Sequence, residues 1–141
     1  MPIERSAGAV VFRKEKGNIS YLLLYYQAGH WDFPKGNIER GEKMKETVKR
    51  EIKEETGIED IEFIPGFEEN IEYFYKLKGK TIFKTVVFFL VETKTREIKL
   101  SREHKDFEWT PFKEALIKLT HKNAKETLKK VNNFLRKYSE K

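Results

Sequence analysis

The sequence predicts an α/β sandwich, a mixed β-sheet held between helices. Three observations predict it. Ser20–Gln27 and Thr81–Thr93 are apolar enough to be strands inside a sheet. Lys43–Thr56 places apolar residues at helical spacing and contains no Pro or Gly. His121–Tyr138 repeats that helical pattern near the C-terminus.

Each element follows in order. Ile3–Phe12 reads as a first strand, rich in β-branched and small residues, and Lys14–Asn18 as the turn after it. Ser20–Gln27 follows as a central strand, and Ala28–Lys35 as a loop. In the Lys43–Thr56 helix, Met44, Val48 and Ile52 form one buried stripe, while Lys45, Lys49 and Lys53 point to water. Gly57 can close this helix in the left-handed conformation, returning Ile58 to the core. Ile61–Leu77 is extended but interrupted at Pro65-Gly66. With the Lys78-Gly79-Lys80 turn and Thr81–Thr93 it makes a hairpin. Asp106–Trp109 is a short strand. Thr110 is placed to N-cap a short helix reaching Leu119, with Pro111 at its first position. Ala124, Leu128, Val131, Leu135 and Tyr138 give the last helix an apolar face to pack on the sheet.

The chain has 141 residues and no linker-like stretch, which predicts one domain, 1–141, with a real core. It has no cysteine, so disulfides are excluded and secretion has no support. The opening Met-Pro-Ile-Glu-Arg-Ser-Ala-Gly lacks a hydrophobic signal segment, and the apolar run Val86–Val91 is far too short to span a bilayer. The expectation is a cytoplasmic protein with no membrane partner and no obligate protein partner. A formal net charge of +6 suits a polyanionic ligand, a small nucleotide or the 5′ end of an RNA. Solubility accounts for most of that excess, because many lysines lie on helix faces turned to solvent.

The chemistry centres on Gly36–Ile58, GNIERGEKMKETVKREIKEETGI. At ~100° per residue, Glu55 lies about 40° from Glu51 and Glu54 about 60° the other way, so the three acids share roughly 100° of arc beside the buried stripe. A solvated acidic face with pairs such as Glu46–Arg50 is the bland alternative. Carboxylates this close repel one another unless a cation sits among them. Mg²⁺ or Mn²⁺ suits an all-oxygen set. Zinc is disfavoured, since cysteine is absent and His30, His104 and His121 are scattered along the chain.

Gly36, Glu42, Arg50, Glu51, Ile52, Glu54, Glu55, Gly57 and Ile58 resemble the Nudix box, G-x5-E-x7-R-E-U-x-E-E-x-G-U with U bulky and apolar, at every specified position. Arg5–Phe12 looks like that family's first strand. Trp31-Asp32-Phe33-Pro34-Lys35-Gly36 and Leu100–Trp109 are similar to segments of its diadenosine tetraphosphate hydrolases. The likeness spans Arg5 to about Tyr138. It implies a Nudix-type α/β/α sandwich and a hydrolase of nucleoside diphosphates linked to another group, here asymmetric cleavage of diadenosine tetraphosphate to ATP and AMP. The resemblance makes the Gly36 carbonyl and the Glu51, Glu54 and Glu55 side chains metal ligands, with Arg50 and Glu42 orienting them. It leaves Glu54 and Glu103 as candidates for the general base.

On the substrate side, Lys35 is placed to meet a phosphate, and Lys84 resembles a subfamily lysine. Tyr73 matches a tyrosine that stacks on adenine, and Tyr75, two residues on, shares its face. Trp31 and Phe33 either line the pocket or pack. Two other enzymes remain open, a 5′-RNA pyrophosphohydrolase and a (deoxy)nucleoside triphosphate pyrophosphohydrolase. A non-catalytic nucleotide-binding module is the alternative of another class, and the intact acid set argues against it.

Overall fold

In this computed structural model, residues 2–139 are described. The strands are β1 (Ile3–Glu15), β2 (Asn18–Tyr26), β3 (Trp31–Asp32), β4 (Lys35–Asn37), β5 (Glu62–Leu77), β6 (Lys80–Glu92) and β7 (His104–Thr110). The helices are α1 (Met44–Thr56), α2 (Phe112–Lys118) and α3 (Lys122–Ser139). They build one mixed sheet in the order β3-β2-β1-β6-β5, with β4 on β1 and β7 on β2. Only the β1–β6 ladder is parallel among the pairings of the described residues; the others are antiparallel.

Period-two side-chain alternation gives the sheet two apolar faces. One carries Val10, Phe12, Tyr21, Leu23, Val86, Phe88 and Leu90 beneath Ala115 and Leu119 of the α2 region and Ala124, Leu128, Val131 and Leu135 of α3. The other carries Ala7, Ala9, Val11, Leu22 and Leu24 against Val48 and Ile52 of α1. The expected sandwich of helices on both faces is therefore formed.

The site is created where two central strands part. β1 pairs β2 only over Phe12–Glu15 with Tyr21–Asn18, whereas Ser6–Gly8 pair with Asn37–Lys35 of β4. The backbone N–H of Ala9 also donates to the Pro34 carbonyl at 3.1 Å. Residues 31–37 thus wedge between β1 and the far end of β2, which holds β3 through Leu24 and Tyr25.

Several expectations shift. The loop expected over Ala28–Lys35 contains β3 and the start of β4. The first hairpin is tighter than Lys14–Asn18, because Lys16 and Gly17 both sit at positive φ, 52° and 83°, as a two-residue turn requires. The break at Pro65-Gly66 appears as a register shift between Phe63 and Glu68 within β5. Thr110 does not cap α2: it ends β7, buried opposite Tyr21, and Pro111 is itself the N-cap at ψ 167°. Met44, the first residue of α1, is 39% exposed, and the fully buried Thr47 packs inward instead. Tyr138 also leaves its stripe, 46% exposed, with its ring stacked on Phe134 at 6.0 Å. Gly57 behaves as expected: it closes α1 at φ 80°, donates to the Lys53 carbonyl and returns Ile58 to the core.

Candidate active site

The acids of α1 face the wedge. Glu55 is 3% exposed, and one of its oxygens accepts the Lys35 backbone N–H at 3.2 Å. The Glu51 side chain is 14% exposed and that of Glu54 57%. The three acids therefore run from buried to solvated rather than sharing one edge. Gly36 makes room for this: a Cβ there would lie 2.0 Å from the Glu51 carboxyl carbon.

Arg50 organises the outer side. Its Nε and Nη2 donate to the two oxygens of Glu42 at 2.7 and 3.0 Å, a bidentate pair. Nη1 donates to Glu51 at 2.6 Å and lies 3.4 Å from Glu54, and Nη2 also donates to the Asn37 carbonyl at 3.0 Å. Arg50 thus bridges α1, the Glu42 turn and β4. The Glu46–Arg50 pair of a merely solvated acidic face does not form, because Glu46 reaches back to accept the Lys43 N–H at the helix start. Hydrogen bonds from Arg50, then Thr47, hold the Glu42 carboxyl down at about 2.

The inner acids shift the opposite way. Burial, then the charge of Glu51, pushes Glu55 up to about 9. Burial also raises Glu51, against the pull of Arg50. Two carboxylates that resist ionisation side by side are what a divalent cation relieves. As placed, no three His or acidic side chains among the described residues close into a cation cage, and Arg50 holds Glu51. The donors still fit a hard ion: carboxylate oxygens of graded exposure, beside a backbone brought close by the missing Cβ of Gly36.

These groups line one cleft of about 1140 Å³. Gly36, Arg50, Glu51, Glu54, Glu55 and Glu103 line it, and so do Lys35, Tyr73, Tyr75 and Lys84. Ile71, Val86 and Phe88 add apolar surface, and His121–Ala124 bring in the start of α3. Trp31 and Phe33 do not line it; Phe33 is fully buried and packs edge-on to Phe88.

The cations are individually held. Lys35 Nζ lies 3.0 Å from the nearly buried Asp32 carboxylate. Burial works against its charge, and Asp32, with Tyr73 and Glu55, together more than offset that, for a net rise. Burial and the neighbouring Lys35 charge lower Lys84, whose closest acid is Glu4 at 3.9 Å. Tyr73 pairs with Lys84 across the β5–β6 ladder, and the Tyr73 and Tyr75 rings are 6.3 Å apart. Tyr75 donates to Glu4 at 2.5 Å, a bond that pushes its phenol up to about 12.

The structure also assembles groups the sequence left apart. His30, His104 and His121 gather at one wall: His30 stacks on Tyr26 at 4.8 Å and lies 5.2 Å from His121, and His104 meets Tyr26 edge-on at 4.4 Å. Tyr26 donates to the Phe33 carbonyl at 2.6 Å, and burial followed by the charge of Glu55 raises its phenol. Tyr26 reads locally as one more apolar strand residue. Only its pairing with His104, across a bulge in the β2–β7 ladder, brings it to the site.

A family model for the NUDIX domain matches residues 2–131. The chain belongs to the Nudix family. It is 36% identical to a Mus musculus protein named bis(5′-nucleosyl)-tetraphosphatase [asymmetrical], over 93% of this chain and 95% of that relative. A solved binary complex of C. elegans Ap4A hydrolase superposes with a TM-score of 0.83 at 31% identity, covering 94% of this chain and 98% of that one. An RNA pyrophosphohydrolase of Nitratiruptor sp. is 39% identical, but over only 59% of this chain and 56% of the relative. The Nudix box is thus carried on a Nudix fold.

Proposed function

We propose that this Nudix protein hydrolyses a phosphoanhydride bond of dinucleoside polyphosphates, cutting diadenosine tetraphosphate asymmetrically into ATP and AMP, with Mg²⁺ or Mn²⁺ as the metal. The observation that carries this reading is the single cleft joining the acids of α1 to Lys35, Lys84 and the Tyr73–Tyr75 pair. At about 1140 Å³ it lies just above the roughly 300–1,000 Å³ of an ordinary small-ligand pocket. The near full-length likeness to asymmetric tetraphosphatases supports the same substrate class.

Held by Glu51, Glu54, Glu55 and the Gly36 carbonyl, the metal would neutralise phosphate charge and acidify a water. Arg50 would keep Glu51 from swinging into solvent, with Glu42 fixing Arg50 in turn. Lys35 and Lys84 would offset charge along the phosphate chain, and Tyr73 and Tyr75 would take an adenine face. The attacking water would form a new P–O bond as the bridging P–O bond breaks, giving ATP and AMP, and its proton would pass to a carboxylate of Glu54 or Glu103.

The test is a panel of dinucleoside polyphosphates, nucleoside triphosphates and triphosphorylated RNA, incubated with Mg²⁺ or Mn²⁺ and resolved by product. Equimolar ATP and AMP from diadenosine tetraphosphate is expected; ADP as the sole product would overturn the asymmetric claim. Faster release of pyrophosphate from RNA 5′ ends would favour the RNA reading, which the shorter likeness and the basic charge support. Binding without turnover would leave only a nucleotide-binding module. The same assay separates the two candidate bases. Glu103→Gln is expected to lower kcat about 10²–10⁴-fold without weakening Mn²⁺ binding if Glu103 is the base, and to leave kcat within a few-fold if the base is Glu54, which also holds the metal. A cytoplasmic location belongs to the same proposal, on the absence of cysteine.

A further inference from the structure

His104 is 5% exposed, and its Nε2 is among the buried side-chain atoms with no hydrogen-bond partner. Nε2 lies 3.9 Å from Glu55 Oε2. A buried polar atom aimed at a carboxylate and just short of bonding it requires an explanation. The opposite side of the ring supplies one. Nδ1 meets Ser101 Oγ at 3.0 Å, and that same oxygen accepts the Glu103 backbone N–H at 3.4 Å. With that N–H donating to it, the Ser101 hydroxyl is free to give its own hydrogen to Nδ1. Nε2 then carries the ring's hydrogen and is a donor facing Glu55.

The surroundings fix the ring. Tyr26 packs edge-on against it at 4.4 Å, and the Ser101 backbone N–H donates to the Glu55 carbonyl at 3.3 Å. Gln27 clamps the turn from β2: its N–H donates to the Glu103 carbonyl at 3.0 Å and its side chain to the Arg102 carbonyl at 2.9 Å. A side-chain rotation that shortens the Nε2–Oε2 separation by about 1 Å completes the hydrogen bond.

We propose that His104 is a positioning residue that latches Glu55: its Nε2–H holds the carboxylate in ligating orientation, and through Ser101 it ties that carboxylate to the turn carrying Glu103. The latch rests on the metal-site part of the proposed function. A carboxylate that ligates a metal works best when another group fixes its orientation, and losing such a partner weakens metal binding by about 10–100-fold. The latch also explains why Glu103, an exposed residue on a turn, is held in register with the most buried acid of the site.

The test measures Mn²⁺ binding to the full chain by electron paramagnetic resonance, alongside kcat and KM for diadenosine tetraphosphate. His104→Phe keeps a ring against Tyr26 and removes the donor. It is expected to weaken Mn²⁺ binding about tenfold or more and to lower kcat with little change in KM. His104→Gln, which carries a donor at nearly the Nε2 position, is expected to restore much of both. Ser101→Ala, a milder change, is expected to weaken Mn²⁺ binding several-fold with the fold intact, which keeps the latch testable if His104→Phe does not fold. Mn²⁺ affinity within about twofold of wild type in Ser101→Ala and in a folded His104→Phe would overturn the latch, leaving His104 a packing residue. If the affinities fall in the expected order and the wild type cleaves no dinucleoside polyphosphate, the proposed function fails and the latch stands.

Discussion

Glu55→Gln is expected to make the metal-free protein more stable above neutral pH while abolishing most of its turnover. Burial and the Glu51 charge place the folded-state pKa of Glu55 at about 9, against 4.5 for an ordinary glutamate. Below pH 4.5 both folded and unfolded chains carry the proton, and Glu55 takes nothing from stability. Between 4.5 and 9 the folded chain keeps a proton that the unfolded chain releases, so stability falls as pH rises through that window. Each pKa unit is about 1.4 kcal/mol, so the loss approaches several kcal/mol by pH 9. Glutamine occupies the same space, keeps an oxygen for the Lys35 N–H and removes the slope. On the proposed function it also takes away a metal ligand, and a loss of about 100-fold or more in kcat is expected. Thermal melts from pH 5 to 9 in chelator, with the wild type beside the variant, check the first claim. Parallel pH slopes would show that Glu55 does not carry the buried proton. Mn²⁺ added at pH 8 should release protons and stabilise the wild type more than the variant.

What the sequence made legible is what local spacing determines. The box specified α1, its closure at Gly57 and the arc shared by Glu51, Glu54 and Glu55. Period and composition located β1, β2, β5, β6 and β7 to within a few residues, while the short β3 and β4 fell where a loop was expected. The misses have physical causes. Met44 fits the apolar stripe of α1, but a stripe does not say whether the first turn of a helix is covered. Pro111 suits an N-cap as well as a first helical position, since its fixed φ serves both. Only the pairing of Thr110 with Tyr21 decides between them. The histidine wall was invisible for a related reason. Tyr26, His30, His104 and His121 come from separate elements, and their meeting depends on the wedge of residues 31–37 and on a bulge between Tyr25 and Tyr26. The graded burial of the three acids was likewise hidden, because helical angle gives direction around α1 but not depth beneath β4.

Gly36→Ala is expected to leave the fold nearly as stable as wild type and to remove most activity, whereas Gly57→Ala should do the reverse. Both glycines belong to the same motif, but for different reasons. Gly57 sits at φ 80°, where a side chain is strained, and a Cβ there would meet only the Lys99 side chain and backbone at 3.4 Å or beyond. Alanine at that position costs about 1–2 kcal/mol of helix closure. The carboxylates upstream are untouched, so kcat is expected to stay within a few-fold. Gly36 is not among the positive-φ glycines, so its backbone tolerates a side chain. The space does not: the new Cβ would fall 2.0 Å from the Glu51 carboxyl carbon and 2.2 and 2.4 Å from its oxygens. What yields is the end of a flexible side chain, so Glu51 turns aside at little energetic expense to the fold. Turning aside separates Glu51 from the Arg50 Nη1 that holds it at 2.6 Å and from the neighbouring Glu55. The expected signature is a melting temperature within a few degrees of wild type, Mn²⁺ binding weakened about tenfold or more and kcat lower by about 100-fold. If Gly36→Ala instead unfolded the protein while binding Mn²⁺ normally where folded, the close approach of β4 to Glu51 would be a packing requirement, and the metal site would have to be sought elsewhere in the cleft.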